Sequence, residues 1–317
     1  MSAPEPQERV WNLLRGALGT RAVALVSDLG VADALADGPR PVSKLAKQTG
    51  ADEGSLYRIL RALASEGVFA EEEPGVFRNT EASELLRREG GWDDFPHLFG
   101  GVWYRAVGEL AADGRAPFED VFGRDFWSWL AAHPDERAAF DRAMQEGTER
   151  RTDRLEAVEW RGDETVVDVR GGNGAFLVEL LRRQPGLRGI VLDLPETVRD
   201  ETAFGERIEF VPGSFFEHVP PGDVYVLAGV LHNWDDERAA AILRIVAAAA
   251  PAGARLLILD SVVPPGNEPG GAKWLDVLML ALLTGRERTE AEWRELLAAG
   301  GFEPERFHDA LIEAVLA

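Results

Sequence analysis

Residues 166–181, VVDVRGGNGAFLVELL, carry the reading that decides the fold. A β-rich apolar run ends in Asp168, and a glycine cluster then opens an amphipathic helix. Gly171, Gly172 and Gly174 let backbone and ligand approach closely at a helix N-terminus, where unpaired N–H groups favour an anion. Twenty-five residues beyond Asp168, Asp193 ends a second apolar run, where a carboxylate can take both hydroxyls of a ribose. One letter departs from the pattern D-x-G-x-G-x-G: Arg170 occupies the place of the first glycine.

Working outward, TVVDV, GIVLDL, IEFVPGSF, DVYVLAGVL, ARLLILDSVV and DALIEAVL read as strands, the first five separated by helical or capped segments. Runs apolar on both faces that alternate with helices indicate a doubly wound, mostly parallel sheet covered on both sides, an α/β fold of Rossmann-like type. Ligands of such sheets bind outside the carboxyl ends of the strands. Upstream, PVSKLAKQTGADEGSLYRILRALASEGVFAEEEPGVFRNT suggests two short helices and a hairpin turning at Pro74-Gly75. Ser43 is the expected cap of the first helix and Gly50 its stop, with Leu56, Ile59, Leu60 and Leu63 lining the second. This is a winged-helix pattern. Residues 92–158 read as helical and aromatic-rich, the aromatics serving packing by default. The expected division is residues 1–155, a helical winged-helix dimerisation and substrate-lid region, and 156–317, the Rossmann-like domain.

The 317 residues are 45% hydrophobic and 28% charged, an ordinary globular composition. A net charge of −21 opposes a phosphate backbone, so nucleic acid and anionic membrane are not expected partners, and the winged helix is read as a dimerisation platform. Cysteine is absent, which excludes disulfides, thiolate nucleophiles and Cys-ligated metals, and no metal is expected. With no apolar run long enough to span a bilayer and no signal-like N-terminus, the expected location is cytoplasmic. Apolar helices near the N-terminus, such as RAVALVSDLGVADAL (21–35), are expected to need a partner surface, hence a homodimer.

The segments GNGAFL, VLDLP, VLHNWDDE, DSVVPPG and LDVLMLALLTGRERTEAEWRELLAAGGF resemble the class I S-adenosylmethionine-dependent aromatic O-methyltransferases, the group of plant caffeate-type and actinobacterial polyketide enzymes. The resemblance covers residues 10–317. It implies that His232 is the general base that takes a phenolic proton, flanked by Asp260 and Glu287. An imidazole with a pKa near 6.5 suits that task at neutral pH. It further implies an inherited S-adenosylmethionine cleft marked by Arg170, Gly172, Gly174, Asp193, Ser214 and Phe215, and an aromatic acceptor met by Met144, Trp234, Leu278 and Met279.

Four residues depart from the family pattern. Arg170 replaces a glycine where backbone and cofactor nearly touch, Ser214 replaces an acid that holds the adenine amino group, Asn233 replaces an aspartate beside the base, and Ala228 stands where plant relatives carry a lysine. The changes at Asn233 and Ala228 are mild; the damage to the cofactor half, above all at Arg170, beside retained His232, Asp260 and Glu287 leads to the expectation of a tailoring enzyme of aromatic polyketide biosynthesis that works without S-adenosylmethionine. On that expectation His232 and its acids serve acid/base or coupling chemistry on a phenol or quinone. Such an enzyme is similar to the O-methyltransferase-like coupling enzyme of kinamycin-type diazo pathways, and Arg170 would hold the carboxylate of an amino-acid-like co-substrate. The alternatives are an active S-adenosylmethionine-dependent O-methyltransferase with Arg170 swung aside, and a non-catalytic binder. Retention of His232, Asp260 and Glu287 counts against the binder.

Overall fold

In the computed structural model, the structure describes residues 5–195, 197, 207–308 and 310–317, without the side chains of Glu149 and Arg150. The chain forms two compact units: one is built from the chain up to Glu109 plus Trp127–Glu146, the other from Leu110–Phe126 plus Gly147–Ala317.

The first unit has the expected winged helix. Helix Val42–Thr49 ends at Gly50, whose φ of 74° is the left-handed conformation that glycine adopts without a Cβ penalty. Helix Glu53–Ser65 follows, capped by Asp52, which accepts the Ser55 N–H at 2.8 Å. Strands Phe69–Glu73 and Val76–Asn79 make the hairpin. Ser43 is not the cap expected of it. The chain enters helix Val42–Thr49 directly from the short strand Arg40–Pro41, which pairs with Val76 and Phe77, so Pro41 holds the capping position and Ser43 lies inside the first turn. Leu56, Leu60 and Leu63 are buried with Phe69 and Phe77, and Ile59 packs at the edge of that core.

The exposed apolar surface also differs from expectation. Most apolar side chains of segment 21–35 are in the core, including Ala24, Val26, Val31 and Leu35. Val10, Trp11, Leu13, Leu14 and Leu18, toward the N-terminal end of helix Pro6–Asp28, are instead each more than half exposed. The C-terminal part of the helix, with Ala24 and Val26 buried, packs into the core of the unit, while its N-terminal part leaves an apolar surface exposed.

The second unit is built on a seven-stranded sheet. In chain order its strands are β1 (Thr165–Val169), β2 (Arg188–Asp193), β3 (Ile208–Pro212), β4 (Val224–Ala228), β5 (Arg255–Leu259), β6 (Phe302–His308) and β7 (Leu311–Leu316). Their spatial order is β6-β7-β5-β4-β1-β2-β3. All neighbours are parallel except β7, which is antiparallel to both β5 and β6. β6 was not read from the sequence, because FEPERFH alternates charged and apolar residues on an exposed edge and lacks a continuous apolar run.

Alternation along the central strands explains their apolarity on both faces. Val167, Val169, Tyr225, Leu227, Leu256 and Ile258 point into one buried core, and Val166, Val224, Val226, Leu257 and Leu259 into the other. Strand order reverses between β1 and β4. That switch point leaves a crevice beyond the carboxyl ends of the two strands, and the glycine loop and the His232 segment are the loops that follow them.

Candidate active site

The loop after β1 keeps the shape of a cofactor loop. Arg170 has φ 72°, the left-handed conformation natural to the glycine it replaces and strained for an arginine. Its N–H donates to the Leu192 carbonyl at 2.8 Å, and Gly171 donates to the same oxygen at 3.3 Å. Gly172 (φ 61°) faces open space, whereas a Cβ on Gly174 (φ 81°) would meet the Phe210 ring at 2.9 Å. Asp193 ties the two strand ends together: its Oδ2 accepts from the Gly172 N–H at 2.8 Å and its Oδ1 from the Leu194 N–H at 2.7 Å.

Beneath this loop lies a buried acid. Asp168 is only 3% exposed and its Oδ2 has no hydrogen-bond partner. Burial, then the Asp193 charge, push its pKa up to about 7, against the opposing charge of Arg151. Arg151, from helix Thr148–Arg154, also feels Asp260, so a cation and two carboxylates share this end of the crevice. Ser214 is turned inward on its own loop, its Oγ accepting the Phe216 N–H at 3.2 Å. Phe215 lies 4.8 Å from Phe216 and 6.2 Å from Trp234, ring centre to ring centre, and Phe216 stands perpendicular to Trp234 at 4.9 Å. Trp234, expected against the acceptor, therefore groups with Phe215 and Phe216, and the Arg238 guanidinium lies over its ring.

Across the switch point, Leu231–Asn233 form a single 3-10 turn that presents His232. His232 Nδ1 lies 2.6 Å from Glu287 Oε1, and the Glu287 side chain is fully buried. Asp260, at the end of β5, accepts the Leu231 N–H through Oδ2 at 3.2 Å, which leaves Oδ1 without a hydrogen-bond partner. Glu287 comes from a remote segment because the pair Val262–Val263 and Arg288–Thr289 runs parallel, with Arg288 opposite Val262. Its backbone N–H is held by Asp276 Oδ1 at 2.9 Å.

Burial alone would lower the His232 pKa. The Asp260 charge and the bond and charge of Glu287 outweigh it and hold the imidazole above its ordinary 6.5, while Arg170 opposes protonation. Burial, in turn, raises the Glu287 pKa, and the His232 bond resists that rise. Asn233, the substituted neighbour, donates from Nδ2 to the carbonyls of Gly229 (2.9 Å) and Val230 (3.2 Å), bonds that an ionised aspartate has no hydrogen to make. Ala228 is the half-buried last residue of β4.

The structure thus brings together His232, Asp260 and Glu287, and it sets Gly172 and Gly174 beside Asp193. Leu278 and Met279 are buried in helix Gly271–Leu282, and Met144 is partly buried in helix Pro134–Gln145 of the first unit. Several contributors were not singled out in the sequence. Arg151 sits in TERRTDR, within the stretch read as helical, and its wholly polar composition gives no sign of a site residue. Gly285 and Arg288 flank Glu287 in the segment that suggested Glu287, and there the signal was the family segment itself.

Gly285 sets a strict limit on the site. A Cβ there would meet the His232 carbonyl oxygen at 2.1 Å, the Asn233 carbonyl carbon at 2.3 Å and the Trp234 nitrogen at 2.5 Å, all of them backbone. Gly285→Ala is expected to displace the His232 turn, lowering turnover by roughly 100-fold and stability by about 1–3 kcal/mol. Steady-state kinetics beside thermal melting check it; wild-type turnover in the variant would mean that the turn is not pinned there.

With this geometry in place, the comparisons assign a class. An O-methyltransferase domain matches residues 104–303, and an O-methyltransferase dimerisation domain matches residues 11–89. The chain belongs to the O-methyltransferase family. The phenazine O-methyltransferase PhzM of Lysobacter antibioticus is 39% identical over 307 residues, 93% of this chain and 90% of that one. The crystal structure of LaPhzM superposes with a TM-score of 0.92 at 36% identity, covering 99% of this chain and 100% of that one. NcsB1, an O-methyltransferase from neocarzinostatin biosynthesis solved with S-adenosylmethionine and 2-hydroxy-5-methyl naphthoic acid, matches with a TM-score of 0.81 at 32% identity, covering 94% and 96% of the two chains. The chain is therefore a methyltransferase-fold enzyme of a family whose structural neighbours bind S-adenosylmethionine. Among the described residues no helix is long and apolar enough to cross a membrane, and no group of three or more His, Asp or Glu is arranged to hold a metal ion.

Proposed function

We propose that this chain is an S-adenosylmethionine-dependent O-methyltransferase acting on a phenolic hydroxyl of an aromatic natural-product precursor, and that it works as a homodimer. The carrying observation is the His232–Glu287 pair, held at the switch point opposite a glycine loop that keeps its left-handed shape. This reverses the preference drawn from the substitutions alone, and it is supported by relatives that are aromatic natural-product O-methyltransferases.

The residues present fit the cofactor. Asp193, at the carboxyl end of β2 where the resemblance puts the ribose hydroxyls, would take them, and Gly172 leaves open space above the loop. Asp168 and Arg151, a carboxylate and a cation at one buried end, match the ammonium and carboxylate of an amino acid. Ser214 and Phe215 would border the adenine. Bound S-adenosylmethionine supplies an electrophilic methyl group. The protein's part is proton removal: Glu287 accepts from Nδ1–H, which leaves the Nε2 lone pair to take the phenolic proton. Asp260 and Glu287 then stabilise the imidazolium that forms.

Arg170 favours a second reading, the cofactor-independent enzyme with an amino-acid-like co-substrate, because a strained cation stands in the loop and faces His232 electrostatically. Calorimetry of S-adenosylmethionine and S-adenosylhomocysteine against wild type and Arg170→Gly separates the two. Micromolar binding to wild type, tightened a few-fold by glycine, is the expected result. No binding to wild type with recovery in Arg170→Gly would overturn the proposal in favour of the second reading.

A further inference from the structure

The turn that carries His232 is held by a buried cation outside the His232–Glu287 pair. Arg288 is fully buried, and its guanidinium makes a converging set of bonds. One terminal nitrogen donates to the Leu231 carbonyl at 3.1 Å and to the Arg286 carbonyl at 3.3 Å. The other donates to the Trp234 carbonyl at 2.9 Å, and Nε donates to Asp236 Oδ1 at 2.9 Å. Its carbon lies 5.3 Å from the centre of the Trp293 ring. Leu231 and Trp234 bracket the turn that carries His232, and Asp236 begins helix Asp236–Ala249, which follows it. Arg288 also adjoins Glu287, the partner of His232 Nδ1.

We propose that Arg288 is a positioning residue for methyl transfer: by clamping the carbonyls of Leu231 and Trp234 together with Asp236, it fixes the His232 turn against the neighbouring Glu287 carboxylate. The inference rests on His232 being the base. Two features argue that the clamp does more than fill space. A buried cation is costly unless its donors are met, and here four of its contacts fall on one six-residue segment, 231–236, rather than being spread over the core. The planar fork is also what lets one side chain span both ends of the turn and a carboxylate, which the point charge of lysine does not.

The test uses Arg288→Lys, which keeps the charge and loses the fork. The expected results are a fall in kcat of roughly 10–100-fold, with KM for cofactor and acceptor within about twofold. In the His232→Ala background the same substitution should have little further effect on residual turnover. A second readout does not depend on methyl transfer: NMR titration of the His232 ring, which faces Glu287, Asp260 and Arg170, with Asp276 behind Glu287. Loosening the Glu287 contact should move its midpoint to lower pH. An unchanged His232 titration with unchanged kcat would overturn the proposal even if the melting temperature fell, as would an undiminished effect in the His232→Ala background. Should Arg288→Lys not fold, Asp236→Asn, at a half-exposed side chain, must shift the His232 midpoint in the same direction, and no shift would count against the clamp. Absence of methyl transfer by wild type would refute the proposed function, whereas the titration reports on the clamp regardless.

Discussion

His232→Ala is expected to lower kcat for methyl transfer by about 10²–10⁴-fold, the range supplied by a positioned general base, while S-adenosylhomocysteine affinity stays within a few-fold. The pH dependence follows from the environment of the ring. On the proposed mechanism transfer needs the neutral imidazole, and Asp260 and Glu287 hold the imidazolium form to higher pH than 6.5. Activity of the wild type should therefore climb through a midpoint above 6.5 and level off in the alkaline range. Glu287→Gln removes a charge that raises this pKa, so its midpoint should move to lower pH, with a lower plateau because a less basic and less firmly oriented ring accepts the proton. A pH–rate profile of kcat/KM for the three proteins decides the matter. If His232→Ala kept wild-type turnover, the base would lie elsewhere. If Glu287→Gln moved the midpoint upward, the charge coupling described above would be wrong.

The second large effect is on stability. Asp168 is buried with its pKa raised to about 7 from an ordinary 3.8, so the folded state holds a proton that the unfolded chain releases. Folding stability attributable to this group is greatest at low pH and is lost as pH rises from about 4 to about 7, after which the loss is constant. The full difference corresponds to ~4 kcal/mol as an upper bound, since about 1.4 kcal/mol accompanies each pKa unit. Asp168→Asn removes the ionisation, and its stability gain over wild type should be largest near pH 8 and shrink steadily on acidification. Urea unfolding at about pH 8 and about pH 5 measures it. A gain that is the same at both pH values would show that Asp168 does not titrate in this range. The same variant should bind S-adenosylmethionine at least tenfold more weakly, a cost in function typical of groups kept strained at a ligand site.

Much of this was legible in the sequence for a definite reason. Strands β1, β4 and β5 are apolar on both faces because each lies mid-sheet between two cores, and that leaves a continuous run to read. Glycine at positions 50 and 75 announces turns because left-handed backbone leaves a strong compositional trace. β6 escaped because an edge strand needs only one apolar face, and Ser43 misled because a strand entering the helix took the capping role.

Sequence by itself pointed to the class of fold and the family, and through the family resemblance it nominated His232, Asp260 and Glu287, with Asp193 marked by its place at the end of an apolar run. Tertiary structure alone decided how they meet. His232 and Glu287 are 55 residues apart and touch only because a two-residue parallel ladder returns the chain to the end of β5. Arg151 joins Asp168 and Asp260 from a helix whose sequence looks solvated, and Arg288 finds its carbonyls on a turn more than fifty residues upstream. Charge and hydrogen-bond partners at such separations are set by strand order and by the crevice it opens, and no local periodicity records them.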